Sequence, residues 1–490
     1  MSRYIDGGRN GNCLWTVDKD YTLLIEPLEG TDGILDGYSC DDYKWPWAKY
    51  AQKIRALIIE DGVVANTNMK GMFSSMENCR VFDIAALDTG NARTMDLLFY
   101  RCRSLADLTP VGRWDVSGVA DMRLMFSGCE KITDIGPLAG WDVSHANDIR
   151  YMFRGCEKIT DISPLARWDV SKVEQLCGMF VCNTSLSDIG PLAGWNVGSV
   201  TDMCYMFSGC TKITDISPLA GWNTENVRNM AGMFNGCCSI TDLSPLADWN
   251  TKHLSNIARM FENCTGIADF SPLKSWDTRH LSNMAETFAS CTGITDLTPL
   301  ADWDVSGVSD MSGTFSGCTG ITDINPLAGW NTGSVNNMQM MFSECSQLSD
   351  VSAVKKWDIS KLEKAYYMFR GTSVKNNPLG DMVPMACPRE GKLIGWKRCR
   401  YNKIVQLLIP ADAKRSAAFG KRCRCNKALV LDIIDMNGAH AETAISKYDG
   451  GFIYRKGKMV SSPNFNEDTF AEGAAGIHFF MNRRDAEEYI

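Results

Sequence analysis

Tryptophan stands at positions 114, 141, 168, 195, 222, 249, 276, 303, 330 and 357, each 27 residues after the last. Phenylalanine follows twelve residues behind each of them, from Phe126 to Phe369, with Phe99 before the series. Cys129, Cys156, Cys210, Cys237, Cys264, Cys291, Cys318 and Cys345 keep the same step, with Cys102 ahead of them; one repeat slips, with Cys182 where 183 is expected. A register held this long constrains the fold more than any other property of the chain, because a fixed period of roughly 20–50 residues marks a tandem-repeat architecture.

In the first full unit the apolar positions are Val119, Met122, Phe126, Cys129, Ile132, Ile135 and Leu138. A single unit has nothing to bury these groups against, so stability must come from stacking on neighbours. Val119, Met122 and Phe126 lie at i, i+3 and i+7 and predict one face of a short helix, started by Ser117 and ended by Gly128. Ile132-Thr133-Asp134-Ile135 then predicts a short strand or extended turn. Pro137 and its equivalents lack an N–H and cannot donate within a parallel ladder, which puts that column at a corner. A period of 27 falls in the roughly 20–29 of leucine-rich repeats. The expected fold is therefore an α/β solenoid of leucine-rich-repeat type at residues 66–380, a small N-terminal β cap at 1–65 and a C-terminal α+β domain at 391–490.

The phrase MFxGCxxI/LxxI/L…WDVSxVxxM resembles the bacterial surface-protein repeat of about 26 residues, a relative of the BspA-like leucine-rich repeats. The likeness covers about 60–380, and Phe73 to Phe99 is itself a 26-residue step. GNCLWTVDKDYTLLIEPLEG, followed by KWPWAKYAQKIRALIIEDGV, resembles the β-rich leader before many such arrays. The resemblance implies binding to a protein partner or host surface, not catalysis. IGWKRC, LLIPADAKRSAA and GIHFFMNRRDAEEY resemble an uncharacterised domain that ends some pentapeptide-repeat and phage-related proteins, which implies no activity.

Composition narrows the setting. With 45% hydrophobic and 22% charged residues the chain reads as folded and soluble. No run approaches the roughly 18 apolar residues of a membrane span. The start, MSRYIDGGRNGNC, has no apolar h-region of a signal peptide, so a cytoplasmic location is expected. The bacterial cell surface, or secretion, is the alternative that the resemblance implies.

Two columns invite chemistry. Stacked cysteines about 5 Å apart fall inside the roughly 4.4–6.8 Å Cα separation of a disulfide. A metal string would need four ligands per ion, and no His accompanies the column. Small buried thiols packed one above another are the plainest reading. The aspartates at 107, 134, 161, 188, 215 and onward would repel by about 1 kcal/mol per step in water and about 3 at an effective dielectric of 20. Either each accepts backbone N–H bonds within its own turn, or calcium lies between coils at Asp134, Asp161, Asp188 and Asp215.

After Phe369 the register fails, and 376–390 reads as a boundary. Residues 389–490 carry 18 Lys and Arg against 12 Asp and Glu, whereas the rest carry 32 against 46. Lys397, Arg398, Arg400, Lys403, Lys414, Arg415, Lys421, Arg422, Arg424 and Lys427 face only Asp412 in that span. Such a cluster is the footprint of a phosphate or nucleic-acid partner, or else a solvated face. Cys399, Cys423, Cys425 and His440 form a weakly spaced zinc candidate. His478, with Asp412, Arg415, Ser416 and Tyr448, is a candidate active site. No nucleophile elbow, P-loop, zinc-protease or cofactor signature accompanies it, and a lone His in an apolar strand is more often structural. KIVQLLIP and ALVLDII predict buried strands, GGFIYRKGKMV a hairpin turning at Lys456-Gly457, GIHFFM a last strand and RRDAEEYI a terminal helix. The function expected is a non-enzymatic protein-binding scaffold. The alternative is a repeat-targeted effector or enzyme whose basic C-terminal domain binds a nucleotide or nucleic acid.

Overall fold

The computed structural model describes residues 4–37, 45–374, 387–388, 390–417, 422–466 and 475–489. Of the segment 376–390 only 387, 388 and 390 are among them, and Lys421 lies outside the described residues. The chain divides into two compact units, residues 1–308 with 317–321 and residues 309–316 with 322–490. Among the described residues no helix is long and apolar enough to cross a membrane.

The first unit opens with three antiparallel strands, β1 (Tyr4–Asn10), β2 (Cys13–Asp18) and β3 (Thr22–Pro27). Period-two alternation buries Cys13, Trp15 and Val17 on β2 and Leu23 and Ile25 on β3. β4 (Ala56–Ile59) then pairs with β3 in parallel, and β5 (Val81–Asp83) pairs with β4 in parallel. The sheet thus runs past residue 65, and the change to parallel pairing is where coiling begins. A separate column of single parallel bridges begins at Asn68↔Thr94 and runs through Thr94↔Asp121 and Asp121↔Asp148 to Asn256↔Asn283.

Within a coil the short helix expected at residues 117–128 is absent, and a chain of turns takes its place. Leu124 has φ of 55° and Gly128 has φ of 76°, left-handed values that an α-helix does not admit. The backbone N–H groups leave the coil instead. Those of Met122, Leu124, Phe126 and Gly128 donate to the carbonyls of Asp148, Arg150, Met152 and Arg154, at 2.9, 2.9, 3.0 and 2.7 Å. The spacing i, i+3, i+7 therefore arises from turns whose alternate N–H groups face the next coil. The helical part of each coil is a short 3-10 segment at the proline, such as Gly136–Gly140, with Pro137 in its first turn. The proline column does sit at a corner. Ile132 to Ile135 forms no strand.

The apolar columns are the core. Trp141 is 4% exposed, and Met122, Phe126 and Cys129 are fully buried. Stacked phenylalanines from Phe99 to Phe288 have ring centres 5.6 to 6.2 Å apart. Such aromatic contacts contribute about 0.5–1.5 kcal/mol each beyond their burial. Buried donors are met from the preceding coil: Trp141 Nε1 donates to Val111 O at 3.1 Å, and Cys129 Sγ to Phe99 O at 3.2 Å. A lone donor at each place is what Trp and Cys offer, and a buried carbonyl left unmet would be costly.

The register does not slip at residue 182. Cys182 is exposed, has φ of 60° and occupies the place of Gly128, while Asn183 takes the buried thiol's place. Asn183 is fully buried and its Nδ2 donates to Phe153 O at 2.9 Å. Its Oδ1 finds no partner among the described residues.

The second unit contains further coils and the C-terminal domain. Asp310↔Asn337, Asp323↔Asp350 and Asn337↔Lys364 are parallel bridges within it, and Phe315, Phe342 and Phe369 stack at 5.5 and 5.9 Å. The domain's strands are β6 (Leu393–Arg398), β7 (Lys403–Ile409), β8 (Arg415–Ala417), β9 (Arg422–Cys425), β10 (Lys427–Asp435), β11 (Thr443–Ile445), β12 (Ile453–Arg455), β13 (Met459–Ser461) and β14 (Ile477–Phe480). Seven form one sheet in the order β13-β10-β7-β6-β14-β9-β8, and β11 pairs with β12. Helix α1 (Arg483–Glu488) follows, capped by the Asn482 side chain, which accepts from Asp485 N. The segment expected to be a hairpin does turn at Gly457, φ 72°, but its two arms do not pair. Gly457 N donates to Val430 O and Lys458 O accepts from Val430 N, so β10 draws the second arm into the large sheet.

Asn183→Cys should restore the column and remove a buried unmet acceptor, which costs about 1–3 kcal/mol. The expected outcome is a higher urea midpoint for the full chain, followed by tryptophan fluorescence.

Candidate functional site

The bridge column at Asp121, Asp148, Asp202, Asn229, Asn256 and Asn283, interrupted at Gln175, is held by a recurring local bond. Each side-chain Oδ1 accepts the N–H two residues on, at 2.8 to 3.1 Å. The residues that follow are thereby fixed in place, and their chemistry changes along the first unit. At one end Lys70, Asp96, Arg123, Asp148 and Arg150 form a charge network: Lys70 Nζ–Asp96 Oδ2 is 2.9 Å, Arg123 Nη2–Asp96 Oδ2 is 3.4 Å and Arg150 Nη2–Asp148 Oδ2 is 2.7 Å. Farther on, Arg259 Nη2 meets Glu286 Oε2 at 2.7 Å.

Between them lies an apolar patch of Tyr151, Cys177, Cys204, Tyr205, Ala231 and Ala258. Cys177 and Cys204, with Cα atoms 4.6 Å apart on successive coils, form a disulfide. The repeating cysteine column stays as buried thiols, and this bridge falls in a different column, nine residues after Trp168 and Trp195. Tyr151 and Tyr205 are half-buried, and the Tyr151 hydroxyl is 3.2 Å from Cys177 Sγ. A Cβ on Gly178 would collide with the Tyr151 ring, and one on Gly232 with the Tyr205 ring. Each tyrosine therefore lies flat across the glycine of the next coil, which fixes its ring.

Every coil has two left-handed positions. One, fourteen residues after Trp, is mostly Gly, as at Gly128, Gly155, Gly209 and Gly236. The other, ten after Trp, carries Leu124, Tyr151, Tyr205, Arg259 and Glu286, alternating with Gly178 and Gly232. Non-glycine residues in this region cost about 1–3 kcal/mol each.

In the C-terminal domain a cavity of about 680 Å³ is lined by residues that include Lys397, Arg422, Tyr448, Tyr454, His478 and Tyr489. Of the candidate active site, His478 and Tyr448 line this cavity and the others serve elsewhere. Arg415 donates to the carbonyls of Pro388, Glu390, Gly391 and Pro410, holding a loop. Asp412 pairs with Lys427 at 2.5 Å, and Ser416 Oγ accepts from Arg424 Nη2 at 3.1 Å. The zinc candidates stay scattered: Cys399 bridges to Ser446, Cys423 and Cys425 lie on β9, and His440 Nδ1 meets Asp432 Oδ2 at 2.9 Å. Cys177 and Cys204 lie close to Asp202, but their sulfurs are joined in the disulfide and offer no thiolate to a metal.

The aspartate column uses its oxygens locally. Asp134, Asp161, Asp188 and Asp215 accept from the N–H of Gly136, Ser163, Gly190 and Ser217 at 2.7 to 2.8 Å. Those bonds hold the carboxyls of Asp161 and Asp215 below their ordinary range. Half of the ten cations of the basic cluster reach backbone carbonyls, Lys397 and Arg415 among them. Arg398 reaches Glu487 O, Arg400 reaches Lys447 O and Lys403 reaches Thr443 O. Arg424 is buried, and Lys397 is 8% exposed. Sequence reasoning counted Lys397 as surface charge and missed Tyr454 and Tyr489. The parity of LIGWKR, which sets Lys397 in line with Leu393, was the available signal.

The family model described as "Mycoplasma protein of unknown function, DUF285" matches residues 67–189, 159–271, 183–296 and 266–382, overlapping copies that together span 67–382. A second, "Family of unknown function (DUF5758)", matches residues 383–486. Among solved structures, a leucine-rich repeat protein from Eubacterium ventriosum aligns at 13% identity and a TM-score of 0.36, over 75% of this chain and 95% of that one. A leucine rich cell surface protein from Faecalibacterium prausnitzii aligns at 14% identity and a TM-score of 0.36, over 76% and 96%. Among proteins of curated function none matches the sequence.

Burial pushes the thiols of Cys156, Cys210 and Cys291 up to about 12 from a usual 9.0. The folded chain then holds protons that the unfolded chain releases above about pH 9, so stability falls as pH rises past that point. Tm should drop steadily between about pH 9 and 11. Thiol titration of the denatured, unreduced chain should return two fewer than its 20 cysteines, and the full number after reduction.

Proposed function

We propose that this chain, which belongs to the DUF285 family, is a non-enzymatic scaffold that holds a protein partner on the ladder face of residues 121–286. Tyr151 and Tyr205 are its anchors, flanked by the Asp148–Arg150 and Arg259–Glu286 pairs.

One observation carries this reading. Of the two left-handed columns, one keeps glycine at most coils, with Cys182, Asn263, Ser290 and Glu344 as exceptions, and the other carries Leu, Tyr, Arg and Glu more often than glycine. Strain retained at a surface position argues for a role of the side chain rather than of the fold. The tyrosines are also prepared for contact. Each ring is held against a glycine, so little conformational freedom is left to lose on binding, and Tyr is enriched among residues that dominate interfaces. The neighbouring disulfide and alanines supply a small apolar floor, and the charge pairs supply a polar rim.

The test exploits the same strain. Tyr151→Gly and Tyr205→Gly should leave urea stability of the full chain unchanged or raised, because glycine suits a φ of 55° or 53°. Used as baits in lysate of the source organism, the variants should lose proteins that the parent retains. Identical retained sets for parent and double variant would remove this face from the function.

A further inference from the structure

β6 buries the side that carries Leu393, Gly395 and Lys397, so an ammonium group stands where parity asks for an apolar side chain. Lys397 is 8% exposed. Its Nζ donates to the carbonyl of His478 at 3.3 Å and lies 5.8 Å from the centre of the Tyr454 ring. Among the described residues no carboxylate pairs with it. Burial, followed in effect by Arg422, pushes its pKa down. A buried cation without a counter-charge is a standing cost that an anion would relieve.

The space before it fits such an anion. The cavity of about 680 Å³ is within the roughly 300–1,000 Å³ of small-molecule sites. Arg422 also lines it, and donates through Nη1 to the Tyr489 hydroxyl at 2.6 Å; Tyr448 donates to the same oxygen at 3.1 Å. Among the described residues of the lining the acidic one is Asp449, which is exposed and accepts from Gly451 N at 2.9 Å. Lys397, beside Tyr454, and Arg422, beside Tyr489, thus both line a cavity whose tyrosine faces suit a flat body. Lys397 is too deeply set to reach the backbone phosphates of a nucleic-acid duplex.

We propose that this cavity binds a small organic anion, a flat ring bearing one carboxylate or phosphate group, with the anionic group at Lys397 and Arg422 and the ring among the tyrosines. This site is independent of the partner-binding face of the coils.

Calorimetric titration of the full chain at low salt tests it with six probes: indole-3-carboxylate, indole and acetate, then adenosine 5′-monophosphate, adenosine and inorganic phosphate. One ring anion should bind at least about tenfold more tightly than both its neutral parent and its ringless anion, and which one does so identifies the anionic group. Lys397→Met keeps the aliphatic stem and removes the charge. It should weaken that probe at least about tenfold while Tm stays level or rises, whereas a purely structural clasp would lower Tm. Tyr448→Ala, at a ring 70% exposed, should weaken the same probe without changing Tm. Equal binding of ring anions and their neutral parents, or full affinity in both variants, would overturn the proposal.

Discussion

Hydrogen bonding from coil to coil is the interaction on which the repeat region depends. No coil satisfies its own backbone: Met122, Leu124, Phe126 and Gly128 give their N–H groups to the coil that follows. The indole of Trp141 and the thiol of Cys129 return the arrangement by donating to carbonyls of the coil before. Alternate backbone donors, with the buried indole and thiol, thus find their acceptors one coil away, and the apolar columns fill the space that these bonds define. Cooperation between neighbours replaces the usual core shared by distant segments.

That ladder also determines what the surface can hold. Bonding alternate N–H groups outward forces left-handed turns at two places in the coil. Where a ring of the preceding coil presses close, as Tyr151 does over Gly178, only glycine fits. Where room remains, side chains are accepted at a cost in backbone strain. The face that results has a fixed frame with variable chemistry: ion pairs at Asp148 and Arg150, a disulfide with two flat tyrosines, then alanines and a further ion pair. A loop surface of the same composition would have to order itself on binding, and this one is already ordered.

The C-terminal domain follows different physics. Its strands alternate and pair over distance, so a charged residue on the wrong parity is carried inside with its neighbours. Lys397 shows this, and its register opposite Val405 of β7 leaves it no choice of face. The cations that look like one basic cluster in sequence are separated by strand pairing, and Lys397, Arg398, Arg400, Lys403 and Arg415 are spent on backbone carbonyls. Arg415 ties down Pro388, Glu390 and Gly391, and Arg424 is buried with Ser416.

The repeat, its core columns, the corner at Pro137, the strands at 403–409 and 427–435 and the final helix were legible because they rest on local periodicity and proline stereochemistry. Turns that mimic i, i+3, i+7 spacing were read as helix, since both patterns bring the same residues inward and only the direction of the N–H groups differs. Asn183 could not be recognised as a substitute for cysteine until its amide was seen to reach Phe153 O. The disulfide of Cys177 and Cys204, the tyrosine-over-glycine contacts and the cavity around Lys397 were decided by tertiary structure alone. Each depends on which side chains meet across a coil or a sheet. A sequence by itself determines the parity and period of its residues, and only the folded chain sets what stands opposite them.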